Sequence, residues 1–97
     1  MAAYLVVEIE VTDPVLYEEY KRAVPEILSQ FGGRYLARGG ATLTLEGEWN
    51  PKRLVVVEFP SADRARQWWE SMEYRPARDL RHRSARTRMV LVEGISS

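Results

Sequence analysis

Four carboxylates fall in segments that read as extended chain: Glu8, Glu10, Glu46 and Glu58. By strand parity Glu8 and Glu10 share one face, while Glu58 shares a face with Leu54 and Val56. Arg38 and Arg88 stand in neighbouring segments as the cations that could fork onto them. An arginine paired with a half-buried carboxylate can hold an anionic substrate or tune a general acid. The same pairs could equally be ion pairs in an interface between two copies, the commoner use of a buried charge.

A second group is aromatic: Tyr17 and Tyr20, then Trp68, Trp69 and Tyr74, with Trp49 in a loop. Helices on one side of a sheet could enclose a pocket lined by these rings and their hydroxyls, which suits a planar organic ligand; the alternative is plain core. Adjacent Trp68 and Trp69 cannot both point inward, so one is expected at a groove edge or against a partner. The third group runs from Arg75 to Arg88 and holds six arginines, Asp79 and His82. It could bind a carboxylate or phosphate, or form a solvated helix face that pairs with the acidic first helix. His82, flanked by Arg81 and Arg83, has a cationic setting that suits acid-base work poorly.

Several classes drop out. The chain has no cysteine and one histidine among its 97 residues, so thiol catalysis, disulfides and thiolate zinc sites are excluded and no metal or cofactor is implied. Ser29, Ser61, Ser71, Ser84, Ser96 and Ser97 lie in no nucleophile elbow, and neither glycine pair opens a phosphate loop. Fourteen basic residues balance fourteen acidic ones, against a global field for nucleic acid. An RNA-binding module of this topology would carry aromatics where Leu54 to Phe59 is mostly aliphatic. The apolar runs Ala2 to Val7 and Leu54 to Val57 are too short to cross a bilayer, and no charged leader precedes them, so a cytoplasmic protein is expected.

The elements that must position these side chains follow from periodicity. Ala3 to Val11 alternates as a strand with Leu5, Val7, Ile9 and Val11 on one face. Asp13-Pro14 starts a helix whose stripe is Leu16, Tyr20, Val24, Ile27 and Phe31, ending at Gly32-Gly33, with a kink expected at Pro25. Arg34 to Arg38 and Ala41 to Glu46 alternate like strand, and Gly39-Gly40 between them reads as a bulge bending one long strand, in preference to a tight hairpin between two short ones. A loop over 47–52 precedes a strand from Arg53 to Phe59 that is apolar on both faces. Ser61 caps a second helix with Ala65, Trp68, Trp69 and Met72 inward, and Pro76 starts a further turn or two carrying Ala77 and Leu80. Arg86 to Ile95 is the last strand, and Ser96-Ser97 a tail. The order is βαββαβ, an α+β ferredoxin-like domain over residues 1–97 with an antiparallel four-stranded sheet. Two helices cover one face of such a sheet; the other carries Tyr4, Val6 and further apolar side chains, and a second copy stacked sheet on sheet would cover it.

The segments Gly32-Gly33-Arg34-Tyr35-Leu36-Ala37-Arg38-Gly39-Gly40 and Glu58-Phe59-Pro60-Ser61, with Asp13-Pro14, Tyr17, Tyr20, Glu46-Gly47, Trp49, Trp68, Ser71, Tyr74 and Arg81, resemble the bacterial family called domain of unknown function 1330. The resemblance spans nearly the whole chain. It implies a dimeric α/β barrel, in which the sheets of two ferredoxin-like protomers close together, and it implies no particular reaction. Carried over onto this sequence, it makes Arg38, Glu58, Tyr20, Tyr74 and Arg81 the site residues. The resulting expectation is a homodimer binding a small anionic or aromatic ligand between helices and sheet. Arg38 or Arg81 would hold the charge, Tyr74 and Trp68 would line the cleft, and Glu58 or Tyr20 would move a proton in a cofactor-independent oxidation or isomerisation. A non-catalytic assembly or regulatory module, its polar residues serving the interface, is the alternative.

Overall fold

Alternation in the first strand does what a half-buried sheet requires: Ala3, Leu5, Val7 and Ile9 are buried, and the residues between them face the other side. The computed structural model describes residues 1–95; the expected tail, Ser96-Ser97, lies outside the described residues. The elements are β1 (Ala3–Val11), α1 (Pro14–Gln30), β2 (Arg34–Arg38), β3 (Arg53–Phe59), α2 (Ala62–Glu70), α3 (Arg75–Ser84) and β4 (Ala85–Glu93). The sheet runs β2-β3-β1-β4 and every neighbouring pair is antiparallel. This is the expected ferredoxin-like arrangement, with the second crossover helix broken into α2 and α3.

Caps and turns close the elements as the residue types demand. Asp13 accepts the Leu16 amide at 3.1 Å and Ser61 accepts the Arg64 amide at 3.2 Å, each satisfying a donor that the first helical turn leaves free. At the α2–α3 corner Ser71 Oγ donates to the Trp68 carbonyl at 2.8 Å and accepts the Tyr74 amide at 3.1 Å. That hydroxyl locks Trp68 and Tyr74 together, and their rings lie 4.1 Å apart between centroids. Phe59 packs on the far side of Trp68 at 5.6 Å. The helix-facing core is built around these three rings and the aliphatic rows of β1 and β3.

Several expectations need correction. The buried face of α1 is Tyr17, Tyr20, Val24 and Leu28, rotated from the expected stripe so that Leu16, Ile27 and Phe31 sit at its margins. The rotation arises because α1 packs against α3 as well as the sheet. Residues 41–46 form no strand: Leu43 is 82% exposed, and the ladder with β3 ends at Arg38. The bulge lies instead between Tyr35 and Ala37, with Leu36 as the extra residue. Met72 and Trp69 are exposed, and Arg78 covers the Trp69 ring at 4.6 Å; α3 itself runs through Ser84, longer than the turn or two expected. The last strand is Ala85–Glu93 instead of Arg86 to Ile95.

Phe59 is fully buried between Trp68 and the helices. Phe59→Ala should lower the unfolding free energy by about 3–5 kcal/mol in urea denaturation, a large share of what a domain this size has. A loss under about 1 kcal/mol would contradict the packing described.

Candidate functional site

Parity in β2 decides which face each arginine serves. Without a bulge Arg34 and Arg38 would project to the same side. Leu36 has no partner in the ladder, so Arg34 pairs with Glu58 whereas Arg38 pairs with the core-facing Val55. Arg38 is thereby turned to the helix side. There its guanidinium lies 4.5 Å from the Tyr35 ring centroid and donates through Nη2 to the Lys21 carbonyl at 2.9 Å. That carbonyl is free because Pro25, four residues on, has no N–H to give it. The helix continues through Pro25, and an arginine of β2 takes the place of the missing amide.

Arg81, on the inner face of α3, is only 3% exposed. Its Nη1 donates to Tyr74 Oη at 2.7 Å, its Nη2 lies 3.1 Å from His82 Nε2, and Tyr74 Oη lies 2.9 Å from Tyr20 Oη. Tyr74 Oη accepts from Arg81 and is hydrogen-bonded to Tyr20 Oη, where either hydroxyl can be the donor, so the three side chains form one buried chain of hydrogen bonds. Burial pushes the hydroxyls of Tyr20 and Tyr74 above the ordinary tyrosine range and that of Tyr35 up to about 12. All three remain protonated at neutral pH, so none is a resident base.

Between α1 and the sheet these groups surround a cavity of about 30 Å³, lined by Tyr17, Tyr20, Tyr35, Trp68 and the arginines 38, 53 and 81 over an aliphatic floor. Its walls contain Lys21 and these arginines but no acid. Among the described residues none of the three arginines has a carboxylate within 4.0 Å. Three buried donors have no partner: Arg53 Nε, Arg81 Nε and Trp68 Nε1. The cavity is therefore a cationic, donor-rich enclosure.

The sheet carboxylates stand on the opposite, outer face. Glu8 accepts from Trp49 Nε1 at 2.7 Å and from Arg88 Nε at 2.8 Å, and these bonds, Trp49 foremost, hold its carboxyl below the usual range. Glu58 accepts from Arg34 Nε at 2.6 Å, and Glu10 lies 3.8 Å from Arg86. The structure thus brings Tyr20, Trp68, Arg81 and Arg38 to one cavity; Tyr74, expected to line it, stands behind Arg81 instead, and Glu58 lies on the other side of the sheet. Arg38 meets no sheet carboxylate because of the bulge; Arg88 does, at Glu8. Trp49 lies with Glu8, away from the helix-side rings. Sequence reasoning missed Arg53 and Tyr35 as cavity residues. Arg53 heads the core-facing series Val55, Val57, Phe59, and a cation at the head of such a series was the available signal.

The sequence profile of the family described as "Domain of unknown function (DUF1330)" matches residues 2–95, so the chain belongs to that family. No curated protein matches the sequence significantly. Among solved structures, a protein of unknown function from Rhodopseudomonas palustris superposes with TM-score 0.79 at 16% identity, covering 99% of this chain and 84% of that one. SnoaB from Streptomyces nogalater, a cofactor-independent oxygenase, gives 0.70 at 12% identity, covering 99% and 95%. A dimeric ferredoxin-like protein of unknown function from Bacteroides fragilis gives 0.64 at 15%, covering 96% of each chain. At these identities the likeness is one of fold.

Gly39 has φ +74°, and a Cβ there would overlap the Arg53 guanidinium, whereas Gly40 borders open space. Gly39→Ala should cost at least about 1 kcal/mol, while Gly40→Ala stays within about 0.5 kcal/mol, both by urea denaturation. Equal effects would contradict this placement of Arg53. Burial and the charges of Arg81 and Arg78, against the weaker pull of Asp79, hold His82 below 6.5, so the folded state favours its neutral form. Stability from this group is complete above pH 6.5 and is lost as pH falls from there toward the lowered folded value. Between pH 7 and 5 the wild type should therefore lose stability relative to His82→Gln; parallel curves would refute the linkage.

Proposed function

We propose that this protein is a homodimer in which each protomer binds a small anionic organic ligand in the cavity between helices and sheet. One observation carries the reading: Arg81 is a buried cation with no counter-ion among the described residues. An uncompensated buried ion costs on the order of several kcal/mol, and an anion delivered to the cavity would remove that penalty. Arg81 is the principal anchor and Arg38 the cation at the mouth. Trp68 and Tyr20 line the cavity, and Tyr74 fixes Arg81. If the ligand is transformed, the reaction class is cofactor-independent oxidation or isomerisation, as the oxygenase activity of SnoaB suggests. Tyr20, held neutral, would then act as acid. Glu58, bound to Arg34, is assigned to the interface.

The dimer follows from the outer face. Tyr4, Val6, Leu54, Val56, Val90 and Val92 project from it beneath no helix, with Val90 60% exposed. The similar proteins from Bacteroides fragilis and Jannaschia are both described as dimeric. Sheet-on-sheet stacking would bury this apolar strip and enclose the Glu8–Arg88 and Glu58–Arg34 pairs. A purely assembling, non-catalytic module is the second reading, favoured by the pairing of these carboxylates.

Light scattering after gel filtration should give twice the 11.2 kDa chain mass for the wild type and the single mass for Val90→Arg. A wild type that stays monomeric at about 100 μM would remove the dimer. A thermal-shift panel of carboxylates, phenols and quinones, run beside uncharged isosteres, tests the ligand. Anions should raise the Tm of the wild type and not of Arg81→Met; if no anion does so, the module reading stands instead.

A further inference from the structure

From the size of the cavity and the donors left over in it, we infer that the anion is a short aliphatic monocarboxylate, of acetate or propionate size. The inference rests on the ligand-binding reading above and narrows it. A cavity of about 30 Å³ has room for only one to three waters, so it accepts a carboxylate head with a methyl or ethyl group and no aromatic ring. One hydrogen each of Arg81 Nη1 and Nη2 is engaged by Tyr74 and His82, so its fork is not free as a pair. Three buried donors, Arg81 Nε, Arg53 Nε and Trp68 Nε1, have no partner among the described residues and are open to a ligand.

These three donors suit the two oxygens of a carboxylate, which together accept about four hydrogen bonds. Phosphate has oxygens on every side and a second charge, so in a space this small some would be pressed against the aliphatic floor. Water could accept from these donors but carries no charge, so water alone leaves the charge of Arg81 unanswered. The remaining wall is aliphatic, from Leu5, Val7, Val24 and Val57, and suits a short alkyl tail.

A ligand of four or five heavy atoms binds no tighter than roughly micromolar to tens of micromolar at the ceiling for tiny ligands, so the test runs to millimolar ligand. The full-length protein is titrated with formate, acetate, propionate, benzoate, acetamide, inorganic phosphate and chloride at constant ionic strength, and read by thermal unfolding and calorimetry. At about a hundred times its Kd, acetate or propionate should raise Tm by roughly 10 °C, with affinity rising up to about fourfold per methylene from formate to propionate. Acetamide, chloride and benzoate should leave Tm unchanged. Arg53→Gln, at the cavity edge, should weaken propionate by roughly tenfold or more, and Trp68→Phe, which keeps the ring, should weaken it while the protein stays folded. If benzoate outbinds propionate the short aliphatic limit is wrong, and if phosphate does the carboxylate class is wrong; in either case the inference fails while the anion site stands. If chloride matches acetate, the site takes a simple ion and the inference fails. If no anion binds, the inference and the ligand-binding reading fall together.

Discussion

A guanidinium removed from water must be answered by the groups around it, and Arg81 is answered here only by neutral ones. Tyr74 and His82 satisfy two of its nitrogens without cancelling its charge. Much of the helical layer is arranged around that residue. Ser71 fixes Tyr74 against Trp68, Tyr74 reaches Tyr20 on α1, and α1 carries the Lys21 carbonyl that holds Arg38. Each link is ordinary in strength, of order 1 kcal/mol for a neutral hydrogen bond and more where a charge takes part. Their common effect is a cavity with positive walls and no resident acid.

The two faces of the sheet divide the polar residues between them. On the outer face charges are matched pairwise: Glu8 with Arg88 and Trp49, Glu58 with Arg34. Matched charges beside the apolar strip of Val6, Val56 and Val90 suit contact with another sheet. On the inner face cations gather without acids, which suits a mobile anion. One unpaired residue, Leu36, makes the division in β2 by turning Arg38 away from Glu58.

Patterns of period two and 3.6 made the strand and helix order legible, and the capping roles of Asp13 and Ser61 were written in residue type. Glycine pairs misled: Gly39-Gly40 reads as a bulge, yet the bulge occurs at Leu36, where no residue type announces it. That single slip reverses the parity of Arg38, so Arg38 could not be assigned to a face from the sequence. The rotation of α1 was hidden for a related reason. Its buried face is chosen by α3 as well as by the sheet, and hydrophobic spacing alone does not weigh two neighbours. Tyr20, Tyr74, Trp68, Arg81 and Arg38 came from resemblance and chemistry together; four of them meet at one cavity, and Tyr74 is bonded to two of those from behind. Arg53 was overlooked because an arginine opening a strand looks like an edge residue until its neighbours Val55 and Val57 are seen to be buried.

The most direct test watches the unpartnered donors themselves. In nitrogen-15 correlation spectra of the labelled protein, the Nε–H signals of Arg53 and Arg81 and the indole N–H of Trp68 are resolved from those of Trp49 and Trp69 by single substitutions. Addition of propionate should shift the three cavity signals together, with a common saturation curve, and leave Trp49 and Trp69 where they were. Cavity signals that stay fixed while propionate reaches tens of millimolar, or that move no more than Trp49 and Trp69, would contradict a cation held in waiting for an anion.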